Sequence, residues 1–313
     1  REVAAAAGVD LRERHRVSSL DALPGGGFRV AGQAAGRRTA EAAYTARFVV
    51  VATGSFDTAA QMGVPGEDLP HVSHYFGRGQ DYAGQQVVVV GGTSSALETA
   101  LVCLHHGAAV TLVHRREGLY ASPTFHSPPR ETVRELVAAG QLQALMGAQV
   151  TDIGSDVVCV RPVHPSMLAV RIPPMNTSQA VPDPTGPIGT LAPEHTVIRL
   201  DKPLARERSL PADAVLLMTG YRPDRTLLRS AGVAFNAAGE PAWDRDTCES
   251  NVRGLYIVGA AGNPEGTGNR TGITSGLPQA ARAMAALAHA AGAAAGTAGC
   301  ALGPTALVTH VAH

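Results

Sequence analysis

The stretch VVVVGGTSSALETA, Val87–Ala100, runs four valines into two glycines, a few small polar residues and an apolar segment. β-Branched residues in succession, without polar alternation, read as a strand buried on both faces, as parallel sheets require. The strand is expected over Val87–Val90, with a Gly-rich turn behind it and a helix from about Ser94 to His106. A second strand, Ala109–His114, follows so soon that the helix must be the crossover between parallel neighbours.

A strand that ends in small residues lets the backbone turn sharply. It also lets a pyrophosphate approach the amides at a helix start, where the dipole favours negative charge. Gly91, Gly92, Thr93, Ser94, Ser95 and Ala96 form this candidate cradle, with Thr93 at the middle glycine of G-x-G-x-x-G/A. A β-α turn made small for packing alone is the plainer alternative. About 20 residues beyond the glycines, an acid accepts the ribose 2′-OH of NAD, whereas arginine accommodates the 2′-phosphate of NADP. This chain has VTLVHRRE there, placing His114, Arg115 and Arg116 at the end of the second strand. Two guanidiniums can fork onto one phosphate, so NADPH is the expected coenzyme. A solvated basic pair is the competing reading.

Outward from this unit the signals change. Between Gly27 and Gly54, the segments FRVAG and AEAAYTARFVVVATG read as a β-meander feeding a buried strand, and Gly63–Gln85 reads as a connector. Downstream, a helix opens behind the prolines of FHSPPRETVRELVAAGQL, with strands near QALMGAQVTDIG. Val163–Pro193 is too rich in proline for core strands. Strands are expected again at HTVIRL, ADAVLLMTGYRPD and NVRGLYIVGAAG, then a helix at TSGLPQAARAMAALAHA. FVVVATG and NVRGLYIVGAAG are strand-then-glycine signals of one domain interrupted by another.

In a chain of 313 residues, 45% hydrophobic with formal net charge 0, two domains with real cores are expected. The charge balance gives no reason to expect nucleic acid or an anionic membrane as partner, and no apolar run is long enough for a bilayer span. The four scattered cysteines suggest neither a disulfide framework nor a CxxC pair, so a reduced cytoplasmic setting is the default. The first segment, starting at Arg1, reads like the middle of a domain, so a truncated start is expected.

Together, ATGSFD, GVPGEDLPHVSHYF, VVVVGGTSSALETA, LVHRRE, TGYRPD and NVRGLYIVG resemble the thioredoxin-reductase-like flavoproteins, the bacillithiol-disulfide reductase group in particular. The resemblance implies an α/β fold of two nested three-layer Rossmann-like domains, with FAD in the outer one and NADPH in the inserted one. It implies a FAD-type domain over 1–84 and 211–291 and an NADPH-binding domain over 85–210, while the composition of 292–313 reads as a flexible, irregular Ala/Gly tail. Thr53, Gly54 and Gly259 would lie by the FAD, the last at its pyrophosphate or ribityl end, with the final helix aimed at the flavin. The implied activity is NADPH-dependent reduction of a small-molecule disulfide, and a homodimer is compatible with it. The family's opening FAD glycine motif and its adjacent cysteine have no counterpart upstream of Phe48, and the last glycine is followed by Ala260 where many relatives carry Asp. A flavin-dependent monooxygenase and a non-catalytic NADPH-binding remnant or sensor are the alternatives.

Other reactive residues carry less. Cys103 is expected in the core, and Cys159 and Cys248 have no cationic cluster nearby in sequence to activate a thiol. His71 and His74 form an H-x-x-H without a third ligand, so hinge packing or a hydrogen bond is expected in place of a metal. Tyr221 is read equally as a flavin-side contact and as packing, and Arg222 and Asp224 as a turn pair.

Overall fold

The computed structural model describes residues 6–34, 42–119, 128–164, 203–262, 273–295 and 306–308. The Pro-rich excursion from residue 165 onward, the strand expected at HTVIRL and Cys300 lie outside them. Following the chain, β1 (His15–Ala22), β2 (Phe28–Ala34) and β3 (Ala42–Ala46) form an antiparallel meander. β1 lies upstream of the expected strands, and its sequence hides it: the alternation is broken at Ser18, where the register slips between Val17 and Ser19. The long apolar segment ending at Gly54 divides into β3 and the wholly buried β4 (Val49–Val51), which leaves the meander for another sheet.

The chain then enters the unit formed by residues 59–220. Its sheet holds β5 (Val72–Ser73), β6 (Gln86–Val90), β7 (Ala109–His114), β8 (Gln143–Met146) and, after a long interval, β12 (Ala214–Leu217). All pairs are parallel, in the order β5-β12-β6-β7-β8. Helices α1 (Ser94–His105) and α2 (Pro128–Ala138) supply the crossovers. A second, antiparallel sheet consists of β9 (Ala148–Ile153), β10 (Val157–Pro162) and β11 (Arg208–Pro211).

The unbroken valine run follows from these layers. Val87 and Val89 pack with Ala96, Leu97, Ala100 and Cys103 of α1. Val88 and Val90 face Val150, Ile153 and Val158 of the antiparallel sheet. With both faces covered, each valine contributes about 1.5–3 kcal/mol of burial. The segment expected as a connector is tied into this unit: Ile153 N–H donates to Pro65 O at 3.0 Å, and Val215 N–H to His71 O at 3.0 Å.

The other unit, 1–58 with 221–313, resumes at α3 (Thr226–Ser230), whose Ser230 Oγ donates to Leu20 O of β1 at 3.2 Å. β13 (Leu255–Ile257) pairs parallel with β4, with Leu255 opposite Val49. α4 (Ile273–Ala295) follows, and β14 (Ala306–Val308) pairs parallel with the opposite edge of β4. β13-α4-β14 is therefore a crossover straddling β4. The alanine-rich end expected to be irregular from 292 stays helical to Ala295 and contributes this strand. Among the described residues no helix is long and apolar enough to cross a membrane, and no cluster of three or more His, Cys, Asp or Glu could hold a metal ion.

Candidate functional site

In the 59–220 unit, β7 lies on one side of β6 and β12 on the other, so the strand order reverses at β6. Such a reversal opens a crevice beyond the strands' carboxyl ends, where open α/β sheets bind ligands. Gly91 and Gly92 sit there, for two different reasons. A Cβ on Gly91 would lie 2.5 Å from Met218 O and 2.9 Å from the Ala96 methyl, and its φ is +149°. A Cβ on Gly92 would come within 2.3–2.5 Å of three atoms of the His114 ring. The first glycine lets β6 meet α1 and the chain after β12; the second makes room for an imidazole.

Thr93 caps α1 in an extended conformation and makes no side-chain cap hydrogen bond. The first-turn amides that such a side chain would satisfy remain for an anion. Thr93 and Ser95 are exposed, Ser94 is half-buried and Ala96 is wholly buried under the turn. Gly91 N–H donates to Val113 O at 3.0 Å, tying the turn to the end of β7. Burial pushes the His114 imidazole down to about 4, with Arg116 and then Arg115 adding to the effect. Arg115 is exposed; Arg116 is half-buried, and its carbonyl accepts Gly147 N–H at 2.8 Å. Thus Gly91–Ala96 and His114–Arg116 meet at one edge, with a neutral ring and two cations beside uncapped amides. That donor set suits a phosphate-bearing dinucleotide.

In the other unit, β4 runs into Thr53 and Gly54, and Thr53 lines a cavity of about 230 Å³ together with Arg16, Ser18, Asp57, Asp224 and Thr226. Whole-ligand pockets run to about 300–1,000 Å³, so this one suits part of a dinucleotide. Asp224 Oδ1 accepts Thr226 N–H at 2.8 Å, opening α3. Next to it, the buried Arg225 guanidinium donates to Ala261 O and lies over the Phe235 ring. Phe56 is exposed, and its ring centroid lies 4.5 Å from that of Tyr221, so Tyr221 packs against this loop. Gly54 and Gly259 have φ of +76° and +66°, with open space where a Cβ would stand. The Gly259 amide is already engaged: it donates to Gln279 Oε1 at 2.8 Å.

Sequence reasoning missed Arg16, Ser18, Asp57, Arg225 and Gln279. Only Asp57, inside ATGSFD, had a local signal. Arg282 was missed too: burial raises the Cys248 thiol, and the Arg282 guanidinium works against that shift without overcoming it. Cys103 is buried, and its thiol is pushed up to about 11. His74 Nε2 lies 3.3 Å from Glu67 Oε1, which gives this histidine a carboxylate partner.

The model of the pyridine nucleotide-disulphide oxidoreductase family matches residues 1–165. The chain belongs to that family. It is 31% identical over 228 residues to the bacilliredoxin reductase Bdr of Bacillus subtilis, covering 72% of this chain and 57% of that protein. It is 26% identical to a ferredoxin–NADP reductase of Ignicoccus hospitalis, covering 80% of this chain and 66% of the relative. The chain therefore spans less than two thirds of the length of these curated relatives. Among solved structures, the bacillithiol disulfide reductase Bdr (YpdA) from Bacillus cereus superposes with a TM-score of 0.68 at 27% identity, covering 92% of this chain and 75% of the other. Thioredoxin reductase from T. acidophilum, at a TM-score of 0.60 and 21% identity, shares the fold. Family membership implies FAD and a nicotinamide coenzyme. The residues described fit both: uncapped amides beside two arginines for one, a polar cavity and two open glycine turns for the other.

Proposed function

We propose that the chain forms the nucleotide-binding body of an NADPH-dependent, FAD-containing oxidoreductase that reduces a low-molecular-weight thiol disulfide. The single observation that carries this reading is the joining of Gly91–Ala96 to His114–Arg116 at the reversal of strand order. The 59–220 unit takes NADPH: the first-turn amides of α1 hold its pyrophosphate, and Arg115 and Arg116 grip the 2′-phosphate. His114 stays neutral and fills the space over Gly92, so the positive charge there belongs to the guanidiniums. In the other unit Thr53, Gly54 and the Asp57–Asp224 cavity hold part of FAD, the two carboxylates accepting from ligand hydroxyls. FAD held there would supply two-electron chemistry, passing the hydride equivalent of NADPH, together with one proton, to a disulfide to give two thiols.

Among the described cysteines Cys103 and Cys248 are buried and only Cys159 is half-exposed, which favours a second reading, in which the acceptor is a one-electron carrier protein, as the name of the ferredoxin–NADP reductase relative suggests. NADPH oxidation dependent on a small disulfide supports the first reading; oxidation dependent only on a ferredoxin-type acceptor supports the second. Coenzyme choice is tested by thermal shift with NADPH and NADH. Arg115→Ala should cost about tenfold or more in NADPH affinity and leave NADH unchanged. An unaltered preference for NADPH refutes the assignment.

A further inference from the structure

Gln279 ties the N-terminal part of α4 down through both its side chain and its main chain. Its Oε1 accepts Gly259 N–H at 2.8 Å, and its main-chain oxygen accepts the Cys248 thiol at 3.4 Å. Cys248 is fully buried, so this turn of the helix is fixed against the loop that carries it. A backbone amide only donates, so the carboxamide atom that meets Gly259 is its oxygen, and Nε2 keeps two N–H groups. Among the described residues nothing accepts from them. Beside this fixed carboxamide the face of Gly259 is open, and Gly259 and Ala260 are both half-exposed.

We infer that Gln279 is a ligand-positioning residue of this unit: Oε1 holds the Gly259 turn in place while Nε2 donates to acceptor oxygens of the ligand lying along that turn. The ligand class is one with an anionic or polyol stretch, the diphosphate–ribityl portion of FAD, and the inference rests on the reading that this unit binds FAD. The turn cannot offer the Gly259 amide, and Gln279 relays the donor instead.

The test uses the full chain, titrated with FAD and followed by quenching of flavin fluorescence, together with melting of the ligand-free protein. Gln279→Glu keeps an acceptor for Gly259 but replaces the donor with negative charge. Its ligand-free melting temperature should match wild type while FAD affinity falls by about tenfold or more. Lowering the pH toward the ordinary glutamic acid value, about 4.3, restores a donor O–H and should recover that loss relative to wild type. Gln279→Leu removes both functions and should lower melting temperature and affinity together. Wild-type affinity in Gln279→Glu at neutral pH, with a loss only in Gln279→Leu, would mean a structural peg and overturn the inference. Failure of the unsubstituted chain to take up FAD would overturn the reading beneath it, and it shows before any substitution is made.

Discussion

At His114, burial and the two adjacent guanidiniums all oppose the imidazolium, and the ring stays neutral down to about pH 4. Unfolded, the same side chain titrates near its ordinary value of 6.5. Between those values the unfolded chain binds a proton that the native one does not, so His114 costs no stability above pH 6.5 and a growing amount as the pH falls toward 4. His114→Gln removes the group. The drop in melting temperature between pH 7 and pH 4.5 should be smaller in the variant than in wild type; equal drops would mean that the ring is not shielded. Glu67 shows the opposite use of burial. Its carboxylate accepts Met62 N–H and Gly63 N–H, each at 2.7 Å, besides meeting His74. Glu67→Ala should lose about 1.5–3 kcal/mol in urea unfolding. Glu67→Gln, which still offers one oxygen, should lose less.

The two glycines after β6 are one element in sequence and two in physics. Alanine at Gly91 meets a main-chain oxygen and a helix methyl, neither of which can move aside, in a backbone conformation that favours glycine. Gly91→Ala should therefore cost about 2–4 kcal/mol of stability. Alanine at Gly92 meets a side chain, which can yield. Gly92→Ala should displace His114, and Arg115 and Arg116 with it, and lower NADPH affinity more than stability. Urea unfolding and coenzyme titration of both variants separate these costs; equal losses on both measures would refute the division. β6 was legible because both its faces are buried and the sequence has to say so without interruption. β5 and β14, of two and three residues, carry too few positions to show a period. The cavity around Thr53 was half-legible. ATGSFD marked one wall, but Arg16 and Ser18 come from the meander and Asp224 from the turn before α3, where no spacing ties them to it. Gln279 gave no signal at all, because a polar residue on an amphipathic helix looks like solvated surface until its partner is known.

For the whole molecule, the chain order and the physical division disagree: residues 59–220 fold as one unit while 1–58 and 221–313 close on each other as another. Each strand-then-glycine signal belongs to the unit whose sheet it ends, which is why the flanking signals matched each other and not the central one. Ligands should respect the same division. A ligand that binds the native state stabilises it by RT ln(1 + [L]/Kd), about 2.7 kcal/mol at a hundredfold excess over Kd. This protection should fall on the unit that holds the ligand. Hydrogen exchange with NADPH should slow amides of β6, α1 and β7 and leave β4 and β13 at their ligand-free rates. FAD should slow β4, β13 and the Gly259 turn and spare β6. Slowing of β4 and β13 by NADPH alone would place the coenzyme in the wrong unit and remove the basis for assigning either cofactor.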